Sequence, residues 1–349
     1  MAATPEPAAN PEPVSPRIRV MLTRSLLILA ALAVAGLWLW SEWLGTQVAR
    51  RHPPAGSFVS FDQGRLHYRE RRAEGEARGT VVLIHGASSS HADMLATLGP
   101  ELARYRIIAF DRPGHGWSDR LEGDAMADPA RQAAALMRGI DAVVPERFVL
   151  VAHSLGGASA TRIALERPDR LHGLVLLGAV THPWPGGISW YHHPTTWPLV
   201  GPLFTRLIGV PAASTLLDSG AQSVFAPRPV TPGYLAAAQI ELLLRPETFR
   251  ANSQDIAATL DFVTAQAPLY RGMKVPVIAI TGDSDSIVSP VIHSATIARQ
   301  APQGRFVLLP GVGHMPHHAA PEIVAAAVDE LAGRRSNLAS LAGAAARRD

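Results

Sequence analysis

One serine, one histidine and two aspartates stand where side chains of their type can do chemistry. Ser154 lies in the stretch 148–157, which runs from an apolar segment into a group of small residues. His314 follows a late apolar segment, and Asp283 and Asp285 follow the apolar segment before it. A serine hydroxyl needs a base to become a nucleophile, and the base needs a carboxylate to orient it. These residue types, in the order Ser, Asp, His, indicate nucleophilic catalysis.

The neighbours of Ser154 suit a serine on a sharp turn between a strand and a helix. Ala152 and Gly156 keep small residues two positions away on each side, which allows the helix to pack closely on the adjoining strands. Such a turn holds the hydroxyl outside the carboxyl edge of the sheet and aims the backbone N–H of Leu155 at a developing oxyanion. Serine is also a common helix N-cap, so the pattern taken alone leaves a capping role open.

The elements that must position these side chains follow from the hydrophobic pattern. Apolar runs that are continuous rather than alternating, typical of strands buried on both faces of a parallel sheet, cover residues 80–86, 106–111, 147–153, 171–179, 275–282 and 304–311. Helical patterns lie between or after them, near residues 93–104, 129–144, 155–167, 291–301 and 319–333. Alternating strands and helices predict an α/β fold with a doubly wound, mostly parallel sheet.

A long region interrupts this alternation. Between about Thr181 and Phe262 prolines and large apolar residues accumulate without a convincing strand, and residues 234–244 have the pattern of one helix. An insertion of this length predicts a helical lid over the strand ends. Its tryptophans, among them Trp190, suit either a substrate pocket or the packing of the lid itself, and both interpretations stay open.

The N-terminal region predicts membrane attachment. Ser25–Ser41 is a run of 17 residues without a charge, which as a helix spans about 26 Å against a hydrocarbon core of about 30 Å. Trp38, Trp40 and Trp43 cluster at one end, where aromatic side chains favour the headgroup zone. We predict a transmembrane helix or signal anchor over residues 22–44.

The residues on either side of this segment bear on whether it is cleaved and on its orientation in the membrane. Residues 1–21 are rich in Pro and Ala and predict a disordered leader. Residues 33–35 resemble a signal-peptide cleavage site, which keeps a cleaved signal peptide as the alternative. The arginines on the two flanks, at positions 17, 19 and 24 before it and 50 and 51 after it, favour the N-terminus in the cytoplasm. The catalytic domain is then expected on the outer, periplasmic side of an inner membrane.

Composition excludes several classes of function. The chain has 47% hydrophobic and 17% charged residues and contains no cysteine, which rules out disulfides, thiolate metal ligands and a cysteine nucleophile. The net charge of +3 includes a single lysine, Lys274, and the arginines are scattered or gathered at the ends. Residues 335–349 predict a short basic tail with little apolar periodicity. Because no nucleic-acid-binding motif accompanies these charges, we expect no nucleic-acid partner.

Five segments in order along residues 57–334 resemble the α/β-hydrolase superfamily. HGASSS is similar to its His-Gly oxyanion loop, DRPGHGWSD to the loop after the next strand, and AHSLGG to its nucleophile elbow. GDSDSIV resembles the acid loop and GVGHMP the histidine loop. The resemblance implies a core in two parts, residues 57–180 and 263–334, around the lid at 181–262. Ala152 replaces the glycine most common at that point of the elbow, and it is still small.

The resemblance also implies a role for each site residue. Ser154 corresponds to the nucleophile, Asp285 to the acid and His314 to the base. The oxyanion donors would be the backbone N–H groups of Ala87 and Leu155.

The competing assignments are resolved by the family pattern rather than by the residues alone. The family places its acid three residues after a glycine, here Gly282, which favours Asp285 over Asp283, a common turn residue. The histidines at 192, 193, 314, 317 and 318 could suggest a metal site, but no accompanying carboxylate pattern supports one. We therefore expect neither a metal nor a cofactor.

The nucleophile type narrows the reaction. Dehalogenases and epoxide hydrolases of this superfamily have an aspartate where this chain has Ser154, and serine indicates acyl transfer. The leading prediction is a hydrolase of a small apolar carboxylic ester, working beneath the lid and close to a membrane. A carbon–carbon bond hydrolase or a cofactor-free perhydrolase would use the same residues. A membrane-tethered binding protein without turnover is the alternative from another class.

Overall fold

A computed structural model describes residues 15–347 of the 349-residue chain. Its eight strands are β1 (Ser57–Phe61), β2 (Gly64–Arg71), β3 (Thr80–Ile84), β4 (Arg106–Phe110), β5 (Phe148–His153), β6 (Leu171–Leu177), β7 (Val277–Gly282) and β8 (Gly304–Leu309). They form one sheet in the order β1-β2-β4-β3-β5-β6-β7-β8. β1 and β2 form an antiparallel hairpin, β2 pairs antiparallel with β4, and every pair from β4 to β8 is parallel.

Helices cover both faces of the sheet. The α-helices are α1 (Pro16–Arg51), α2 (His91–Glu101), α3 (Pro129–Val143), α4 (Gly156–Glu166), α5 (Val200–Phe204), α6 (Val210–Phe225), α7 (Tyr234–Ala237), α8 (Pro246–Gln266), α9 (Ser294–Gln300), α10 (Pro316–Ala319), α11 (Pro321–Leu331) and α12 (Leu338–Ala345). One core contains side chains of α3, α4 and α9, and the other contains side chains of α2, α11 and α12. The predicted doubly wound α/β fold is confirmed.

The continuous apolar runs have a simple cause in this architecture. In β3, Val82 and Ile84 enter one core, while Val81 and Leu83 enter the other. All four side chains are at most 1% exposed. A strand buried on both faces needs apolar residues at every position, so it loses the alternation that marks a half-exposed strand.

The C-terminal tail contains structure that its sequence was not expected to have. The tail predicted over residues 335–349 includes helix α12, whose Leu338 is fully buried in the core beside α11. Leu341 and Ala345 pack against the same core. Their spacing of three, four and seven residues places them on one helix face, so the apolar periodicity is real but short.

The insertion between β6 and β7 is helical. Residues 178–276, all of which the structure describes, contain α5 to α8 with short 3₁₀ and π turns, and no strand. The single helix predicted over residues 234–244 is wrong, because the chain breaks at Gln239, which has a left-handed φ of 53°. After the break, Ile240, Leu242 and Leu244 are all buried. With three residues per turn, the side chains at these alternate positions point in three different directions, so this 3₁₀ segment is enclosed by protein on several sides.

Helix α1 is longer than the predicted span of residues 22–44. It begins at Pro16 after the N-cap Ser15 and ends at Arg51, so part of the predicted leader is helical, while residues 1–14 lie outside the described part. Within residues 15–347, two helical stretches are long and apolar enough to cross a membrane, residues 16–51 and 200–225, and each contains an 18-residue segment with a mean hydropathy of 2.1 and 1.3, respectively. A signal sequence or a core helix can share these properties.

The last third of α1 packs on the helical insertion. Ser41, Gly45 and Val48 are buried there. The Ser41 hydroxyl donates a 2.6 Å hydrogen bond to the carbonyl oxygen of Arg206. A Cβ atom on Gly45 would stand 2.8 Å from Cδ of Pro246, so the helix approaches the start of α8 at a distance that only glycine allows. α1 and the insertion therefore form one packed unit.

A buried ion network ties the insertion to the core. Asp255 of α8 accepts hydrogen bonds from Arg112 at 2.8 Å and Arg120 at 2.7 Å, and both arginines belong to the loop after β4. The side chains of Arg112 and Asp255 are 1% exposed. Arg112 also donates to Gln132 of α3 at 2.7 Å. The carboxylate thus balances two cations at the junction of the insertion and the sheet.

We expect Asp255→Ala to lower the free energy of unfolding by about 3–5 kcal/mol, because it leaves the buried Arg112 without a counter-charge. The measurement is a denaturant titration of the full chain in detergent micelles. Asp261→Ala is the matched control, since Asp261 lies exposed on the same helix, and it should change stability by less than about 0.5 kcal/mol. Equal effects of the two substitutions would contradict the role given to the network.

Candidate active site

Ser154 lies on the turn between β5 and α4 with a left-handed φ of 51°. A residue with a side chain rarely adopts this conformation, and such residues cluster at functional sites. The turn is held by a hydrogen bond from the Ser154 N–H to the carbonyl of Leu177 at 3.0 Å. A Cβ atom on Gly156 would stand 2.5 Å from the carbonyl oxygen of His85, so the predicted requirement for a small residue there has a steric cause.

A hydrogen-bonded chain joins the three side chains predicted to act together. The Ser154 hydroxyl lies 2.8 Å from Nε2 of His314, and Nδ1 of His314 lies 2.8 Å from Oδ2 of Asp285. The other carboxylate oxygen accepts hydrogen bonds from the backbone N–H groups of Ile287 and Val288, both at 2.9 Å. Because an acceptor-only carboxylate faces Nδ1, that nitrogen carries the proton and Nε2 is free to accept the serine proton.

The structure separates the two candidate acids. Asp285 is buried against His314, whereas the carboxylate of Asp283 accepts a 2.8 Å hydrogen bond from the hydroxyl of Ser284 at the surface. The Asp283 N–H donates to the carbonyl of Leu309, which anchors the turn after β7. Only Asp285 is thus within reach of the imidazole.

Two backbone N–H groups beside Ser154 are available as donors. Among the hydrogen bonds of residues 15–347, neither the N–H of Ala87 nor that of Leu155 has a protein acceptor. A Cβ atom on Gly86 would stand 2.8 Å from Cβ of Ser154, so glycine brings the loop after β3 close to the serine. Ala87 also lines the cavity that contains Ser154.

Asn252 of α8 is a site residue that the sequence did not reveal. Its Oδ1 accepts a 2.6 Å hydrogen bond from the N–H of Ser88, and its Nδ2 donates to the Ser88 hydroxyl at 3.1 Å. These bonds occupy the N–H next to that of Ala87 and attach the loop to the insertion. No sequence pattern points to the contact, because the partners are 164 positions apart.

Two histidines beside the site support its loops. The Nε2–H of His153 donates a 3.0 Å hydrogen bond to the carbonyl oxygen of His314, and His85 accepts at Nε2 from the N–H of Arg112 at 3.0 Å. Burial holds the pKa of His153 well below its usual value and lowers the pKa of His85 to about 3. Both rings are therefore neutral at neutral pH and place no positive charge beside His314.

A cavity of about 700 Å³ opens above Ser154 and His314. Its walls come mainly from apolar side chains of the insertion, including Phe204, Ile208, Leu216, Leu235, Leu243, Phe249 and Ile256. Trp190 lines it, whereas Trp184 packs beside a separate apolar cluster that contains Val263. Trp190 therefore fits the interpretation as part of a substrate pocket, and Trp184 fits the interpretation as packing within the lid.

A family model described as the alpha/beta hydrolase family matches residues 81–327. The chain belongs to the alpha/beta hydrolase family. The predicted fold and family are therefore confirmed, and all five segments that resemble the superfamily, the elbow among them, lie within the matched region.

Two relatives of this alpha/beta hydrolase are named for different hydrolytic reactions. It is 35% identical over 158 residues to a 2-hydroxy-6-oxo-6-phenylhexa-2,4-dienoate hydrolase of Comamonas testosteroni, an alignment of 43% of this chain and 50% of that protein. It is 26% identical over 275 residues to a pimeloyl-[acyl-carrier protein] methyl ester esterase of Edwardsiella ictaluri, covering 75% and 96%.

Among solved structures, the enol-lactonase of Burkholderia xenovorans LB400 superposes with a TM-score of 0.64 at 19% identity over 80% of this chain and 100% of that one. At this identity the likeness concerns the fold alone.

Other side chains of this alpha/beta hydrolase could bind a metal ion. The ligand atoms of Asp93, His153 and His317 lie within 4.8 Å of one another, as do those of a second buried group, His67, His91 and Asp111. The second group is already paired, since both imidazoles contact the carboxylate of Asp111 at 2.8 and 3.0 Å. Of the histidines that could suggest a metal site in the sequence, His317 belongs to the first group, whereas His314 contacts Ser154 and Asp285 instead.

Proposed function

We propose that this chain is a serine hydrolase that cleaves an apolar carboxylic ester through an acyl-enzyme. The observation that carries the proposal is the hydrogen-bonded chain from Asp285 through His314 to Ser154 beneath an apolar cavity. The nucleophile then contacts its base, and the base contacts the carboxylate that orients it.

In the proposed reaction, Oγ of Ser154 attacks the carbonyl carbon of the ester while Nε2 of His314 takes the hydroxyl proton. The N–H groups of Ala87 and Leu155 donate to the oxyanion, and each such donor is typically worth about 10²–10³ in rate. The C–O bond then breaks, and His314 returns the proton to the leaving alcohol. Water, activated by the same imidazole, attacks the acyl-enzyme, releases the acid and restores Ser154.

The lining of the cavity favours an ester over the carbon–carbon alternative. The dienoate named for the Comamonas relative is a carboxylate anion, which needs a cationic partner in a dry site. The cavity walls, as far as residues 15–347 form them, contain no arginine or lysine. An uncharged acyl chain can be buried against this apolar wall without the cost of desolvating a charge. The alternative with the same triad, a carbon–carbon hydrolase or a perhydrolase, would be recognised by activity on a ring-cleavage product or by peracid formation.

Two further assignments complete the proposal. Helix α1 serves as a membrane anchor rather than a cleaved signal peptide, since its buried positions Ser41, Gly45 and Val48 pack on the folded body. The arginines at 17, 19 and 24 favour an N-terminus in the cytoplasm, with the catalytic body on the periplasmic side. Residues 181–262 act as the lid.

Labelling with a fluorophosphonate tests the proposal directly. The full chain in detergent micelles should gain the mass of one adduct, mapped to Ser154 by peptide analysis, because only an activated serine reacts quickly. Protein unfolded in denaturant before labelling is the control and should gain none. If the folded chain stays unlabelled, the proposal is overturned in favour of a non-catalytic binding protein.

A further inference from the structure

The helical insertion exposes a set of large apolar side chains on its surface. We call it the apolar patch, and it consists of Trp190, Tyr191, Trp197, Leu199, Val200, Leu203, Ile208 and Leu216. Leu199 is 85% exposed and Trp190 is 72% exposed. Contiguous exposed apolar surface on a folded domain marks a site of interaction with a membrane or another protein.

Contacts with α1 fix the depth of the patch relative to the apolar part of that helix. The guanidinium of Arg206, between Leu203 and Ile208 in the chain, lies 4.6 Å above the ring of Trp38. The same guanidinium pairs with Glu42, and the Arg206 carbonyl accepts from Ser41. The patch therefore starts where the uncharged run of α1 ends, at the tryptophan cluster that suits the headgroup zone.

The patch is continuous with the wall of the active-site cavity. Trp190, Tyr191, Ile208 and Leu216 are exposed and also line the cavity that reaches Ser154. A molecule that crosses the patch into the cavity thus stays in contact with apolar side chains along the way. An acyl chain would keep its hydrophobic burial during entry, whereas a path through water would expose each of its methylene groups to solvent.

We propose that the apolar patch rests in the surface of a lipid bilayer and that the substrate is a lipid ester that enters the cavity from the bilayer. This inference rests on the proposed function and narrows its substrate class. Attack by Ser154 breaks the acyl C–O bond, and the alcohol oxygen gains the proton that His314 took from the serine. Water then hydrolyses the acyl-enzyme, which releases a fatty acid and restores Ser154. The proposed occupant of the patch is the bilayer, and a second copy of the chain is the outcome that would contradict it.

An activity comparison tests the inference. The full chain is reconstituted into phosphatidylcholine vesicles that contain a lipid ester with a fluorogenic acyl chain, and p-nitrophenyl butyrate in solution serves as the soluble substrate. Trp197→Ser combined with Leu199→Ser alters two patch residues that do not line the cavity. We expect lipid hydrolysis to fall about tenfold and hydrolysis of the soluble ester to stay within about twofold, since apolar burial in the bilayer is lost.

The matched control is Leu269→Ser, at a half-exposed leucine that precedes β7 and does not line the cavity. It should leave both activities unchanged. Equal loss on both substrates, or no loss on the lipid, would overturn lipid entry while leaving the ester hydrolase in place. If wild type hydrolyses neither substrate and Ser154 resists the fluorophosphonate, the proposed function itself has failed and the inference with it.

A contact measurement is independent of activity and uses the absence of cysteine from the chain. A polarity-sensitive dye is attached to Leu199→Cys or Leu269→Cys, and each labelled protein is reconstituted into vesicles with brominated lipid. We expect quenching at position 199 and none at 269, because bromine quenches only in contact with the dye. If position 199 is not quenched and unlabelled Leu199→Cys chains form disulfide dimers, the patch is a protein interface and the inference is overturned.

Discussion

Replacing Ser154 by alanine should reduce turnover of a soluble ester by about 10⁴–10⁶-fold, since loss of the nucleophile leaves only binding and oxyanion donors. The fold should survive. Alanine is no larger than serine, and the left-handed φ of 51° strains both residues alike. The measurement is kcat of the full chain in micelles on p-nitrophenyl butyrate, with circular dichroism to establish folding.

Ser159→Ala is the matched control for this substitution. Ser159 is also a buried serine, on α4 within two turns of Ser154, but it contacts neither His314 nor Asp285 in the described part of the chain. Its variant should keep activity within a few-fold of wild type. Residual activity of Ser154→Ala above a few per cent would mean that another group performs the attack.

The parts of the molecule that could be predicted from the sequence are those set by local pattern. Strand β3 reads as a continuous apolar run because both of its faces are buried. The elbow can be recognised in the sequence because close packing around Gly156 limits the residue types that fit there. His314 and Asp285 each follow a strand, and the ends of parallel strands meet at one edge of the sheet, so short segments of chain predicted a site assembled over 160 positions.

The parts that escaped prediction depend on contacts between distant segments. Asn252 holds the loop at Ser88, and Asp255 balances Arg112, but on a helix both look like ordinary polar residues. After the break at Gln239, Leu242 and Leu244 pack with Val48 of α1, a contact between distant segments that local propensity does not reveal. Tertiary packing overrides propensity most easily in such short stretches.

The length of α1 was underestimated for a related reason. Hydropathy identifies the uncharged run but gives no signal where the helix continues beyond that run and packs against protein. Beyond Ser41, small and apolar positions such as Gly45 and Val48 alternate with polar ones because one face packs on the insertion. The same packing links two features that the sequence presents separately, the apolar helix and the apolar insertion.

Replacing Asp285 by asparagine should lower kcat on a soluble ester by about 10⁴-fold, because an amide in place of the carboxylate allows the imidazole to settle in the wrong tautomer. The carboxylate accepts Nδ1–H of His314 at 2.8 Å, and the N–H groups of Ile287 and Val288 fix its other oxygen. An amide that offers its NH₂ to Nδ1 would move the ring proton to Nε2. The Ser154 hydroxyl would then face a donor instead of a base.

The neighbouring aspartate supplies the control within the same loop. Asp283→Asn removes an exposed charge two residues away, where the carboxylate accepts a hydrogen bond from Ser284, and kcat should stay within about twofold as for most surface substitutions. Fluorophosphonate labelling should slow in parallel for Asp285→Asn alone, since it reports the activation of Ser154 without an ester. Equal losses of kcat in the two variants would indicate that catalysis depends on the negative charge of the loop rather than on the orientation of the His314 imidazole by Asp285. A larger loss in Asp283→Asn would transfer the acid role to Asp283.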